Sequence, residues 1–86
     1  MYVILTYDVK KKRLAKVMKT CRKYLLHVQK SVFEGQLTEG TLNRLKKELA
    51  NIVVTDEDAV CIYEMESLKY TKKEKLGVVE NHSCVI

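Results

Sequence analysis

The chain has 86 residues, the size of one small domain, and such a chain buries only about 64% of its unfolded surface, so its stability balance is thin and oligomerisation is expected. Its 47% apolar content and lack of proline exclude a disordered or linker-rich chain, and its longest uncharged apolar run, residues 2–7, is too short to span a membrane. The net charge of +5 is uneven: residues 1–36 hold nine Lys/Arg against two acids, residues 37–86 seven against nine, which points to a polyanionic partner at the N-terminal half.

Residues 2–7 form a β-rich run with little alternation, as expected of a central strand. From residue 10 to residue 25 the period becomes helical. Leu14, Val17, Met18, Cys21 and Leu25 share one face, and Lys12, Lys16, Lys19 and Lys23 cluster opposite it. Eight basic residues and no acid fall within residues 10–23. The lysine stripe meets either water or phosphate.

Residues 27–35 alternate and predict a second strand, bent near Ser31 and continuing through Leu37. Thr38 is placed as an N-cap, with Leu37 and Leu42 as its hydrophobic staple. Leu42, Leu45, Leu49 and Ile52 then trace a second amphipathic helix ending near Asn51. Asp56, Glu57 and Asp58 make an acidic turn before a third strand over residues 59–65. Residues 67–76 read as an exposed hairpin arm, and Val78–Val79 with Val85–Ile86 as a short final strand. The order strand–helix–strand–helix–strand predicts an α+β sandwich, a small antiparallel sheet with two helices on one face. The opposite sheet face is then bare and needs a partner.

No phosphate-binding glycine loop, dinucleotide fingerprint or nucleophile elbow is present. His27 and His82 are isolated. Cys21, Cys61 and Cys84 suit neither a disulfide framework nor a zinc half-site. With no basic residue before residues 2–7 and no small-residue cleavage site after them to mark a signal peptide, the cytoplasm is the expected compartment. Asp8 stands apart. It ends an apolar strand just before the most basic segment, where it either binds a hard cation, with a second Asp8 from a two-fold partner, or stabilises the helix start.

Tyr7-Asp8-Val9, the helix segment Lys-Val-Met-Lys-Thr-Cys-Arg-Lys-Tyr at 16–24, and Ser31-Val32-Phe33-Glu34-Gly35 together resemble the small CRISPR-associated protein two family, over residues 1 to about 68. The resemblance implies a single ferredoxin-like domain over residues 1–86. It also implies a homodimer in which residues 67–86 form a C-terminal arm packing on the partner protomer. It further implies a CRISPR integrase partner in spacer acquisition, and endonuclease activity on RNA or double-stranded DNA that depends on Mg²⁺ or Mn²⁺. The family's metal-binding Asp falls on Asp8. Tyr7, Ser31 and Phe33 match positions linked to activity, and Arg13 matches a basic position of the first helix, joining Lys12, Lys16, Lys19 and Lys23 as nucleic-acid contacts. Where some members carry Arg, this chain has His27.

Three readings follow: a dimeric metal-dependent phosphodiesterase, a non-catalytic DNA-binding scaffold of the integration complex, and a stand-alone toxin-like ribonuclease of the same fold. None involves a membrane.

Overall fold

The structure, a computed structural model, describes residues 1–66 and the strand segments at 74–75 and 84–85. In chain order the elements are β1 (Tyr2–Asp8), α1 (Lys11–Arg22), β2 (Leu26–Gln29), β3 (Val32–Gln36), α2 (Glu39–Ala50) and β4 (Ala59–Met65), followed by β5 (Glu74–Lys75) and β6 (Cys84–Val85). The first four strands make one antiparallel sheet in the order β2-β3-β1-β4. This is the ferredoxin-like arrangement, with β1 and β3 as its inner strands. β5 and β6 pair antiparallel as a second, two-stranded sheet. Apart from those two segments, residues 67–86 lie outside the described residues, and with them the expected hairpin arm over 67–76, the Val78–Val79 strand and the packing of this arm on a partner.

The pleat of β1 divides its side chains between two environments. Val3, Leu5 and Tyr7 point into the core, where they join Phe33 of β3, Val17 and Cys21 of α1, and Leu42, Leu45 and Leu49 of α2. Leu14 and Met18 pack at the rim of this core. The 3.6-residue period of both helices therefore aims their apolar stripes at one sheet face. Lys10 and Lys23 flank α1 as its caps, so the helix is shorter than its hydrophobic period, which carries on to the buried Leu25.

Thr38 caps α2 as expected. Its backbone is extended, and its Oγ1 accepts the Thr41 N–H at 3.1 Å, satisfying one of the open donors of the first turn. Asn51 closes the helix.

The second predicted strand is in fact two. Residues 26–36 fold back at Lys30 and Ser31, so β2 and β3 form a hairpin with a register shift between His27 and Gln29. The hairpin supplies the fourth strand that the alternation alone did not separate. Gly35 permits close packing beside it, since a Cβ there would lie 3.3 Å from Leu25 Cδ2.

Candidate metal and nucleic-acid site

Tyr2, Ile4, Thr6 and Asp8 occupy the face of β1 turned away from the helices, as their alternation with Val3, Leu5 and Tyr7 requires. Across the sheet, Ile4 is in register with Tyr63 and Glu34, and Thr6 with Cys61 and Val32. This face carries a groove of about 710 Å³ lined by Ile4, Thr6, Val28, Val32, Tyr63 and Met65 together with the polar Gln29, Glu34 and Glu64. Tyr63 is 56% exposed. Leu26, in register with Glu34, is 69% exposed. The apolar face expected to lack helical cover is therefore present.

Asp8 closes the row, exposed at the end of β1 and in register with Ala59 of β4. It does not serve as the cap of α1: the N-cap is Lys10, which has no side-chain cap hydrogen bond, and the first turn holds no acid. Asp58, from the acidic turn before β4, approaches the helix start instead. Its Oδ1 accepts the Lys10 N–H at 2.8 Å and Arg13 Nη2 at 3.0 Å. Its Oδ2 accepts the Val54 N–H at 2.8 Å and Arg13 Nε at 2.5 Å. Glu57 takes a further bond from Arg13 Nη2 at 2.7 Å. The Arg13 guanidinium, assisted by the Val54 and Lys10 amides, holds the Asp58 carboxyl well below the usual carboxylate range against the opposing effect of desolvation.

The resemblance implies a nucleic-acid contact at Arg13, and the acidic turn gave no sign that Asp58 would reach the start of α1. The guanidinium fork is engaged within the chain, and its side chain is only 13% exposed.

All four stripe lysines lie on the exposed side of α1 or at its C-terminal end, but they are not equivalent. Lys12 sits 3.9 Å from Glu57, and Lys23 pairs with Glu48, which also accepts the Tyr24 hydroxyl. Lys16 and Lys19 have no ion-pair partner among the described residues.

Tyr7 and Ser31 meet at the tip of the hairpin. The Tyr7 N–H donates to the Ser31 carbonyl at 3.2 Å, and its hydroxyl donates to the Lys30 carbonyl, also at 3.2 Å. The hairpin turn is thus fastened beside the end of β1, next in sequence to Asp8. Burial pushes the Tyr7 phenol upward from its ordinary pKa. Phe33 is fully buried beneath this turn, with its ring 4.3 Å from that of His27 in a near-parallel stack and 6.1 Å from that of Tyr7. Cys21 is a core residue whose thiol is pushed up to about 11 by burial, so it remains protonated near neutrality.

A hard cation accepts one or two carboxylates together with water and phosphate oxygens. Asp8, exposed at the end of the open face, fits as half of such a site. Among the described residues no group of three or more His, Cys, Asp or Glu side chains is placed to hold a metal. No helix among them is long and apolar enough to cross a membrane.

Comparison with known proteins agrees with this architecture. The model of the family described as CRISPR associated protein Cas2 matches residues 1–73. The chain is 44% identical over 81 residues to the CRISPR-associated endoribonuclease Cas2 of Dictyoglomus turgidum, covering 94% of this chain and 93% of that one. It is 49% identical over 78 residues to the protein of the same name from Thermotoga maritima, covering 91% and 90%. The crystal structure of Streptococcus pyogenes Cas2 superposes with a TM-score of 0.77 at 33% identity, covering 90% of this chain and all of that one.

Proposed function

Because the chain belongs to the CRISPR-associated protein Cas2 family, we propose that it acts in CRISPR adaptation as a homodimer beside the CRISPR integrase, and that it cleaves RNA or double-stranded DNA in a metal-dependent reaction. The observation that carries this reading is the position of Asp8 at the end of the open sheet face, directly before a helix with a cationic outer side. The endoribonuclease names of the similar proteins support the nuclease part of it.

A two-fold contact through the open face gives one site with an Asp8 from each copy. That contact also covers the groove and the exposed Tyr63 and Leu26. Each Asp8 carboxylate holds negative charge where a Mg²⁺ or Mn²⁺ ion would bind. When bound, such an ion supplies Lewis-acid polarisation of the scissile phosphodiester. Lys16 and Lys19 bind backbone phosphates and set the register of the nucleic acid without reading its sequence. Tyr7 and Ser31 fix the rim of the site through the hairpin turn, and Phe33 holds that turn from below.

The test is Asp8→Asn, assayed in parallel for cleavage of RNA and duplex DNA with Mn²⁺ and for spacer acquisition beside the integrase. Asn retains the shape and one acceptor oxygen but lacks the charge. Loss of both activities with the dimer intact supports the enzyme reading. Acquisition without cleavage makes the protein a scaffold there, a reading consistent with a single carboxylate per chain. Cleavage that persists in the variant removes Asp8 from the site.

A further inference from the structure

Asp58 lies 50 positions from Asp8 in sequence and is bound on both sides to the segment that carries it. Its neighbour Ala59 is the β4 residue in register with Asp8. Its own Oδ1 accepts the N–H of Lys10, two residues beyond Asp8, at 2.8 Å. Its Oδ2 accepts the Val54 N–H at 2.8 Å, which ties the same carboxylate to the loop after α2. Arg13 closes the cluster with two bonds from the first turn of α1. The carboxylate is fully enclosed. Four donors therefore converge on one side chain and fix where β1 ends and where α1 begins.

The turn between these two elements, Val9 and Lys10, has no cap side chain of its own. Lys10, Lys11, Lys12 and Arg13 repel one another at the positive end of the helix dipole, an arrangement that disfavours a helix start. The buried carboxylate of Asp58 offsets that repulsion where Asp8, exposed at the strand end, makes no contact among the described residues that would do so.

We infer that Asp58 is a positioning residue for Asp8: it fixes the β1–α1 turn through the Lys10 amide and so sets where the Asp8 carboxylate stands relative to the basic face of α1. The inference rests on the assignment of Asp8 to the metal site, and it adds a residue that touches neither the metal nor the nucleic acid.

The experiment compares wild-type dimer with Asp58→Asn, with Glu57→Gln as the control. Asn keeps the size of Asp58 but turns an amide N–H₂ toward groups that are themselves donors, so at least one of the Lys10 and Val54 bonds is lost. Amide exchange by NMR is expected to rise about tenfold at Lys10 or Val54 while Leu45 and Leu49 in α2 stay protected. Broadening of the Asp8 and Val9 signals by added Mn²⁺ is expected to weaken. In the Mn²⁺ assay kcat is expected to fall about tenfold or more, since small misplacements are costly, with KM for RNA within about twofold. Glu57→Gln leaves all four bonds to Asp58 in place and is expected to match wild type.

Unchanged Mn²⁺ broadening and unchanged kcat in a folded Asp58→Asn protein overturn the inference. So does an equal loss in Glu57→Gln, which would assign the effect to the charge of the turn. If Asp58→Asn does not fold, wild-type exchange decides: protection at Lys10 well above that at Lys11 and Lys12, which open the helix, supports the clasp, and equal exchange overturns it. A wild-type protein that does not cleave, or an Asp8→Asn protein that does, refutes the proposed function instead, and the exchange and broadening measurements still decide the role of Asp58.

Discussion

Replacing Lys16 and Lys19 together with Ser tests which part of the basic stripe meets nucleic acid. Helical spacing places four lysines on that stripe, but Lys12 and Lys23 already have carboxylate partners in Glu57 and Glu48. Of the four, Lys16 and Lys19 have no ion-pair partner among the described residues, two per protomer and four in a dimer. Each phosphate contact contributes about 0.9 to the slope of log K against log salt, so the double variant should flatten the dimer's slope on duplex DNA by about 3.6. Between 50 and 200 mM salt this amounts to about a 150-fold narrowing of the gap between wild type and variant. Fluorescence anisotropy on a labelled duplex at four salt concentrations measures both slopes. The fold should survive, because Val17 and Cys21 on the opposite side of α1 are untouched. The companion variant Lys12→Ser/Lys23→Ser should change the slope less, since each of those charges is already partly neutralised. An unchanged slope in Lys16→Ser/Lys19→Ser, or an equal change in the companion, would refute the argument.

Other consequences concern stability and access. Phe33→Ala should cost about 3–5 kcal/mol in chemical denaturation, whereas Phe33→Leu should lose much less and keep any cleavage, because Phe33 acts by packing under the hairpin. Thr38→Ala should cost about 1 kcal/mol, read in the same way, through loss of the Thr41 amide partner. The depressed pKa of Asp58 makes its contribution complete above the unfolded carboxylate value of 3.8 and progressively lost as pH falls below it. Thermal melts between pH 7 and pH 2 should therefore show a shallower acid slope for Asp58→Asn than for wild type. Cys61 is exposed in the single chain and shares the face of Thr6, so alkylation mapped by mass spectrometry should be slow in the dimer and speed up on dilution. Cys21 should stay unlabelled until the protein unfolds. Rapid labelling of Cys61 at every concentration would argue against a dimer through that face.

Much of the fold was legible in the residues because it is local. The stripes Leu14/Val17/Cys21 and Leu42/Leu45/Leu49 announce two helices with one buried side each, and Thr38 marks where the second begins. The apolar runs of β1 and β4 announce buried strands. The hairpin was not legible, because Lys30-Ser31 carries none of the Gly, Asn or Asp residues that usually signal a two-residue turn. The alternation of His27–Gly35 also continues across it. The length of that run was the available clue: eleven residues from 27 to 37 is about twice a usual strand.

Asp8 could be singled out from its place between an apolar strand and a cationic helix. Its freedom from capping could not, because that depends on Asp58, which reaches the helix start only after β4 has paired with β1. The same long-range contact turns Arg13 from one more exposed cation into a fixed internal partner.

The central claim, a site built from one Asp8 of each copy, is tested most directly by mixing subunits. Wild-type and Asp8→Asn chains are unfolded together in equal amounts, refolded, and assayed for Mn²⁺-dependent RNA cleavage at fixed total protein. If both carboxylates are needed, only dimers with two wild-type chains are active, and the mixture should show about a quarter of the wild-type rate. A rate of half or more would mean that one Asp8 suffices, and the shared site would be wrong.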